Sequence, residues 1–220
     1  MLISQNHKFI FVHVPKVAGQ SVTNALLPFC LSSYELPIAK LFGASNYIKI
    51  NTKFRKYLGF NLYAHAFSDH VNAQTLRGAL GNSFDDYFKF AFVRNPWGWI
   101  YSHYTYALKN KRHFRHQFIR SKFSDFNAFV EWLCLEKEDR KLQKSYLCDD
   151  AGELLVDYVG RHETIHQDFL AICESIGVNV SLPHLNQSAS VDYRQYYSSR
   201  ARDLVQSTYA EDIALFDYEF

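Results

Sequence analysis

Lys8–Leu27 reads KFIFVHVPKVAGQSVTNALL, and the rest of the chain is organised around it. Phe9-Ile10-Phe11-Val12-His13-Val14 is a run of aromatic and β-branched residues suited to a strand buried on both faces. Pro15 has no N–H to give a ladder, so the strand ends there. A turn with Lys16 and Gly19 follows, and from Gln20 onward Val22, Ala25 and Leu26 recur at helical spacing. Strand, tight turn and helix start in that order make an anion site, because first-turn N–H groups lack helical partners and point out of the positive end. Gly19 would let the backbone approach a ligand, Lys16 adds a full charge and Ser21 a hydroxyl. The expectation is a phosphate or sulfate cradle, against the plainer reading of a buried strand with an ordinary turn. A Walker A loop is a different pattern, with its lysine directly before Ser/Thr; here Lys16 precedes Gly19 and Ser21.

Composition sets the frame. A chain of 220 residues fits one domain, residues 1–220, and can bury a full core. Hydrophobic residues make up 48% and aromatics 17%, which excludes global disorder. A net charge of +2 gives no argument for a nucleic-acid partner. Cys30, Cys134, Cys148 and Cys173 are dispersed with no CxxC pair, the pattern of reduced thiols rather than a zinc knuckle or a disulfide frame. No apolar run nears the ~20 residues that span a bilayer, and no signal pattern opens the chain. These features predict a cytoplasmic protein without a transmembrane segment.

The second informative stretch is Tyr87–Tyr106, YFKFAFVRNPWGWIYSHYTY. Phe88–Val93 is again a buried-strand run. Asn95 is a good N-cap, and Pro96 suits the first helical position, where its missing N–H costs nothing. Arg94 therefore stands at the carboxyl end of a strand, where open α/β sheets bind ligands. Ser102, seven residues past Asn95, returns to the same helix face after two turns, a rise of ~10 Å that an extended arginine can bridge. Arg94 and Ser102 can hold one phosphate between them.

PKVAGQS resembles the 5′-phosphosulfate loop, and RNP with a serine eight residues after the arginine resembles the 3′-phosphate site, of sulfotransferases that use 3′-phosphoadenosine 5′-phosphosulfate. The likeness, which is to the bacterial and Golgi-type carbohydrate enzymes, covers most of the chain outside residues 30–62. It implies a P-loop-like three-layer α/β fold, with a mostly parallel central sheet and helices on both faces. It also implies transfer of a sulfuryl group to an acceptor hydroxyl of a carbohydrate or glycolipid, leaving adenosine 3′,5′-bisphosphate. Lys16 and the amides of Val17, Ala18, Gly19, Gln20, Ser21 and Val22 would hold the 5′ end, Arg94 and Ser102 the 3′-phosphate. Asn186 and Ser188, in LPHLNQS, would be further cofactor contacts or plain turn residues. A histidine between the two motifs would be the general base, since imidazole with a pKa of about 6.5 can take a hydroxyl proton near neutrality. His70, at the entry of the helix with Ala73 and Leu76, is one candidate; His65 is the other. No metal is needed on this scheme.

Other stretches carry rival or secondary readings. His162-Glu163-Thr164-Ile165-His166 spells the HExxH of zinc hydrolases, which needs both histidines on one helix face. The metzincin continuation is absent, and DYVGRHETIHQDF resembles a sulfotransferase segment in which Glu163 and Asp168 are structural. A non-catalytic nucleotide- or glycan-binding module is the remaining alternative. Lys111–Lys122, KRHFRHQFIRSK, would attract a polyanion or simply form a solvated helix face. Ser124 is expected to cap a helix through Leu133, Asp149–Gly152 to turn a hairpin, and the tail from Tyr196 to form two helices ending in LFDYEF.

Overall fold

The computed structural model describes residues 1–31, 35–42, 70–137, 141–183 and 191–220. Its contacts group the chain into two units, Met1–Phe92 with Tyr146–Asn186, and Val93–Ser145 with Gln187–Phe220.

The first unit is built on a four-stranded, mostly parallel sheet of order β1-β2-β3-β4: Leu2–Ser4, Phe9–Val12, Phe88–Val93 and Tyr158–Arg161. β2 and β3 pair in parallel, Phe9 opposite Phe88 and Val12 opposite Ala91, so both strands direct their carboxyl ends to the same edge. Every β2 residue and Phe90–Val93 are fully buried, which is why these two strands are near-continuous apolar runs. Their rings interlock, Phe11 stacking on Phe90 at 5.4 Å and Phe92 set edge-on to Phe90 at 6.4 Å. In β4, Gly160 stands where a Cβ would strike the Phe92 ring. Lys89 is the one charge in β3, and it is satisfied locally: its ammonium donates to the Tyr87 carbonyl at 2.8 Å and lies 3.1 Å from the Asp157 carboxylate.

Parallel strands require a crossover. The one between β2 and β3 includes α1 (Gly19–Leu26), α2 (Glu35–Phe42) and α3 (Ala73–Leu80). α3 starts as the sequence suggests: Asn72 caps it, accepting the Thr75 N–H at 2.9 Å, and Gly81 closes it at a positive φ of 56°. The strand expected over Phe9–Val14 stops at Val12, because the His13 carbonyl is engaged by a histidine ring described below. β1, antiparallel to β2, was not expected; three residues carry no period to detect.

The second unit is helical: α4 (Pro96–Lys109), α5 (His116–Lys122), α6 (Phe126–Leu135), α8 (Ser199–Thr208) and α9 (Ala210–Leu215); α7 (Ile165–Ser175) belongs to the first. Pro96 opens α4 and Asn95 caps it, accepting the Trp97 N–H at 3.2 Å. The tail closes over this start. The Asn95 amide donates to the Glu219 carbonyl at 2.6 Å, and Phe220 packs edge-on to the buried Trp97 at 5.4 Å. The Trp97 indole donates to the Arg202 carbonyl at 3.1 Å, and the Tyr197 hydroxyl to the Trp97 carbonyl at 2.9 Å. At α6 the cap is Asp125 rather than Ser124: its carboxylate accepts the Ala128 N–H at 3.0 Å, while the Ser124 hydroxyl donates to Asp125. The turn at Asp149–Gly152 forms, but its arms meet only in an isolated bridge, Cys148 with Leu154. The two tail helices form as expected. Among the described residues no helix is long and apolar enough to cross a membrane.

Candidate active site

The turn after β2 concentrates backbone strain. Lys16 and Ala18 both adopt left-handed conformations, φ 65° and 61°, although neither is glycine. Each such residue costs on the order of 1–3 kcal/mol and persists where the surroundings over-determine it. The effect is to bring the turn directly into α1 with Ala18 as N-cap, a residue with no side-chain acceptor. No acidic residue occupies the first turn either. An undecorated helix start behind a strained, lysine-bearing turn suits an anion. The Ser21 and Val22 N–H groups turn inward to the Ala18 carbonyl, at 2.9 and 3.3 Å, so they serve the helix.

Gly19 has a role other than the one expected. A Cβ there would overlap the imidazole of His13, so the space it leaves is filled by that ring rather than offered to a ligand. The His13 ring in turn lies 4.5 Å from the ring of His70. The Nδ1 of His70 is 3.0 Å from the His13 carbonyl oxygen. A carbonyl only accepts, so this Nδ1 carries the hydrogen, and in the neutral ring Nε2 is the basic atom. The exposed His70 therefore presents a fixed tautomer with its lone pair on Nε2. Burial, reinforced by the positive amino terminus and by His70, holds His13 well below the ordinary histidine range, so it is neutral at neutral pH. His13 falls within the apolar strand run of the sequence; a histidine two residues before Pro15-Lys16 is the signal that singles it out. His65 lies outside the described residues, as do Asn186 and Ser188.

In the second unit, Arg94 follows β3 directly and Ser102 sits in the second turn of α4, both half-buried. A Cβ at Gly98 would stand 3.3 Å from the Arg94 Nε and 2.9 Å from the Tyr193 ring, so the arginine side chain runs along the first turn of α4. The Arg94 peptide is held by Gln143, whose amide oxygen accepts its N–H at 2.9 Å and whose amide nitrogen donates to its carbonyl at 2.7 Å.

Gln143 leans on Asp212 of α9, a fully buried carboxylate that accepts the N–H groups of Gln143 at 2.7 Å and Lys144 at 2.8 Å. Burial outweighs these bonds and pushes the Asp212 carboxyl up to about 6. A raised carboxyl stabilises the fold fully below its unfolded pKa and loses that contribution as pH rises through about 6. The loss is roughly 3 kcal/mol for a shift of about two pKa units. Urea titrations at pH 4, 5, 6 and 7 should show this fall, and Asp212→Asn should flatten it; an unchanged slope in the variant would assign the pH dependence elsewhere.

The HExxH stretch does not form a zinc helix. His162–Thr164 is a 3₁₀ turn and α7 begins only at Ile165, so the two histidines do not stand on successive turns of one α-helix. Asp168 holds this geometry, accepting from the Tyr158 hydroxyl at 2.8 Å, the Arg161 N–H at 2.9 Å and the Thr164 hydroxyl at 2.6 Å.

Over 125 residues the chain is 27% identical to an uncharacterized protein of Archaeoglobus fulgidus, a match spanning 56% of this chain and 97% of that one. The family model described as the sulfotransferase family matches residues 1–219. A match of this extent makes the chain a member of the sulfotransferase family, an enzyme of sulfuryl transfer.

Proposed function

We propose that the enzyme takes its sulfuryl group from 3′-phosphoadenosine 5′-phosphosulfate, passes it to a hydroxyl of a carbohydrate, free or as a glycolipid, and works in the cytoplasm. The observation that carries the donor assignment is the left-handed turn at Lys16 and Ala18 ahead of a helix start with no side-chain cap. Lys16, the amides of Val17, Ala18, Gly19 and Gln20, and the Ser21 hydroxyl hold the 5′ end; Arg94 and Ser102 take the 3′-phosphate. Support for using the two motifs together comes from the parallel pairing by which β2 and β3 end at one sheet edge. Asn186 and Ser188 are added by resemblance alone. The acceptor class rests on the likeness of the two motifs to carbohydrate sulfotransferases.

The donor supplies an activated sulfuryl group on a phosphate leaving group. His70 Nε2 takes the acceptor proton as the new S–O bond forms, and Lys16 with the turn amides stabilises charge on the departing phosphate oxygen. As in phosphoryl transfer, the protein contributes position and charge. The test is incubation with the sulfur-radiolabelled donor and fractionated glycans and glycolipids of the source cells. Label retained in a glycan-bearing fraction is expected; label found only in protein, phenols or simple alcohols would overturn the carbohydrate assignment.

A further inference from the structure

Arg94 directs both of its main-chain polar groups at one side chain. Its N–H donates to the Gln143 amide oxygen and its carbonyl accepts from the Gln143 amide nitrogen, at 2.9 and 2.7 Å, across 49 residues of sequence. This is the two-bond pairing that a neighbouring strand would supply, provided here by a single amide. Only a side chain with an acceptor and a donor side by side can do it. Gln143 is 0% exposed, and the turn that carries it is pinned from α9, where the two oxygens of Asp212 accept the N–H groups of Gln143 and Lys144. Hydrogen bonds therefore run without a gap from α9 through Gln143 to the Arg94 peptide, all within the second unit.

Satisfying a buried peptide would by itself explain a glutamine here. The peptide it satisfies, however, is the root of the guanidinium assigned to the 3′-phosphate, and the far end of that side chain is steered past Gly98 and Tyr193. An arginine fixed at its root loses less conformational entropy on meeting its anion. We propose that Gln143, held by Asp212, is a positioning residue that sets Arg94 for the 3′-phosphate and so contributes to discrimination between a 3′,5′-bisphosphorylated nucleoside and its 5′-monophosphate. This rests on the reading of Arg94 given above.

The experiment is calorimetric titration of the full chain with adenosine 3′,5′-bisphosphate and with AMP, for the unaltered protein, Gln143→Met, Arg94→Ala and the double variant. Methionine keeps length and volume and removes both bonds. Gln143→Met should weaken the bisphosphate about tenfold and AMP by less than about twofold, the loss of two net hydrogen bonds acting on one ligand group. In the Arg94→Ala background it should change neither, since its effect passes through Arg94. Equal weakening of both nucleotides, or full additivity with Arg94→Ala, would make Gln143 structural only and overturn the proposal. If Arg94→Ala alone weakens both nucleotides equally, the 3′-phosphate reading of Arg94 fails and takes the proposal with it; that single variant separates the two failures. Should Gln143→Met not fold, Gln143→Glu carries the same comparison, because it keeps the acceptor for the Arg94 N–H and gives up the donor.

Discussion

Lys16→Ala is expected to lower kcat by about 10²–10³, the usual loss when one preorganised charge-stabilising group is removed from the leaving oxygen. The fold should not change, for a physical reason specific to this position. Lys16 already adopts φ 65°, and alanine meets the same Cβ penalty there as lysine, so the substitution adds no backbone strain. Circular dichroism and the unfolding midpoint should match the unaltered protein, while single-turnover transfer falls. Lys16→Arg should recover only part of the loss, since a planar fork does not replace a compact ammonium. A kcat within about threefold of the unaltered enzyme for the alanine variant would remove Lys16 from the mechanism.

His70→Ala is expected to reduce kcat by about 10²–10⁴, the range for loss of a general base, with nucleotide affinity left within about twofold. The expectation follows from the hydrogen bond between His70 Nδ1 and the His13 carbonyl, which assigns the lone pair to Nε2. His13 does not compete for the role: it is neutral, but its ring is packed against Gly19, whose missing Cβ makes the room. The rival base from the sequence is His65. If His65→Ala abolishes turnover and His70→Ala retains it, the proton goes to the other histidine.

The parts of the fold that sequence showed are those where one local pattern decides. β2 and β3 are legible because strands buried on both faces need unbroken apolar runs, and Phe9–Val12 and Phe90–Val93 provide them. The start of α4 is legible because Asn95-Pro96 has one common use, cap and first turn. β1 is too short for a period, and Ser124 and Asp125 are adjacent good caps between which only geometry chooses. HExxH misleads because the spelling leaves out Asp168, which bonds back to Arg161 and Thr164 and holds a 3₁₀ turn where the five residues suggest an α-helix.

The site divides in the same way. Lys16 and Arg94 stand out as candidates because each charge follows a strand end, and Ser102 because it returns to the Asn95 face two turns into the helix. Gly19 is expected from sequence to let the backbone approach a ligand, and the neighbour that its missing Cβ accommodates is His13. Gln143 left no trace, since its partners lie 49 and 69 residues away and a buried amide has no periodic signature. Residues proposed to contact a ligand are thus easier to read from sequence than a residue proposed to hold such contacts in place.

The most direct test of the account is equilibrium binding of adenosine 3′,5′-bisphosphate, AMP and 3′-AMP to the unaltered protein. One bisphosphate per chain should bind at least about tenfold more tightly than either monophosphate, because each phosphate meets its own charged group, worth roughly 1.5–3 kcal/mol apiece. Equal affinity for all three nucleotides, or no binding of the bisphosphate, would contradict it.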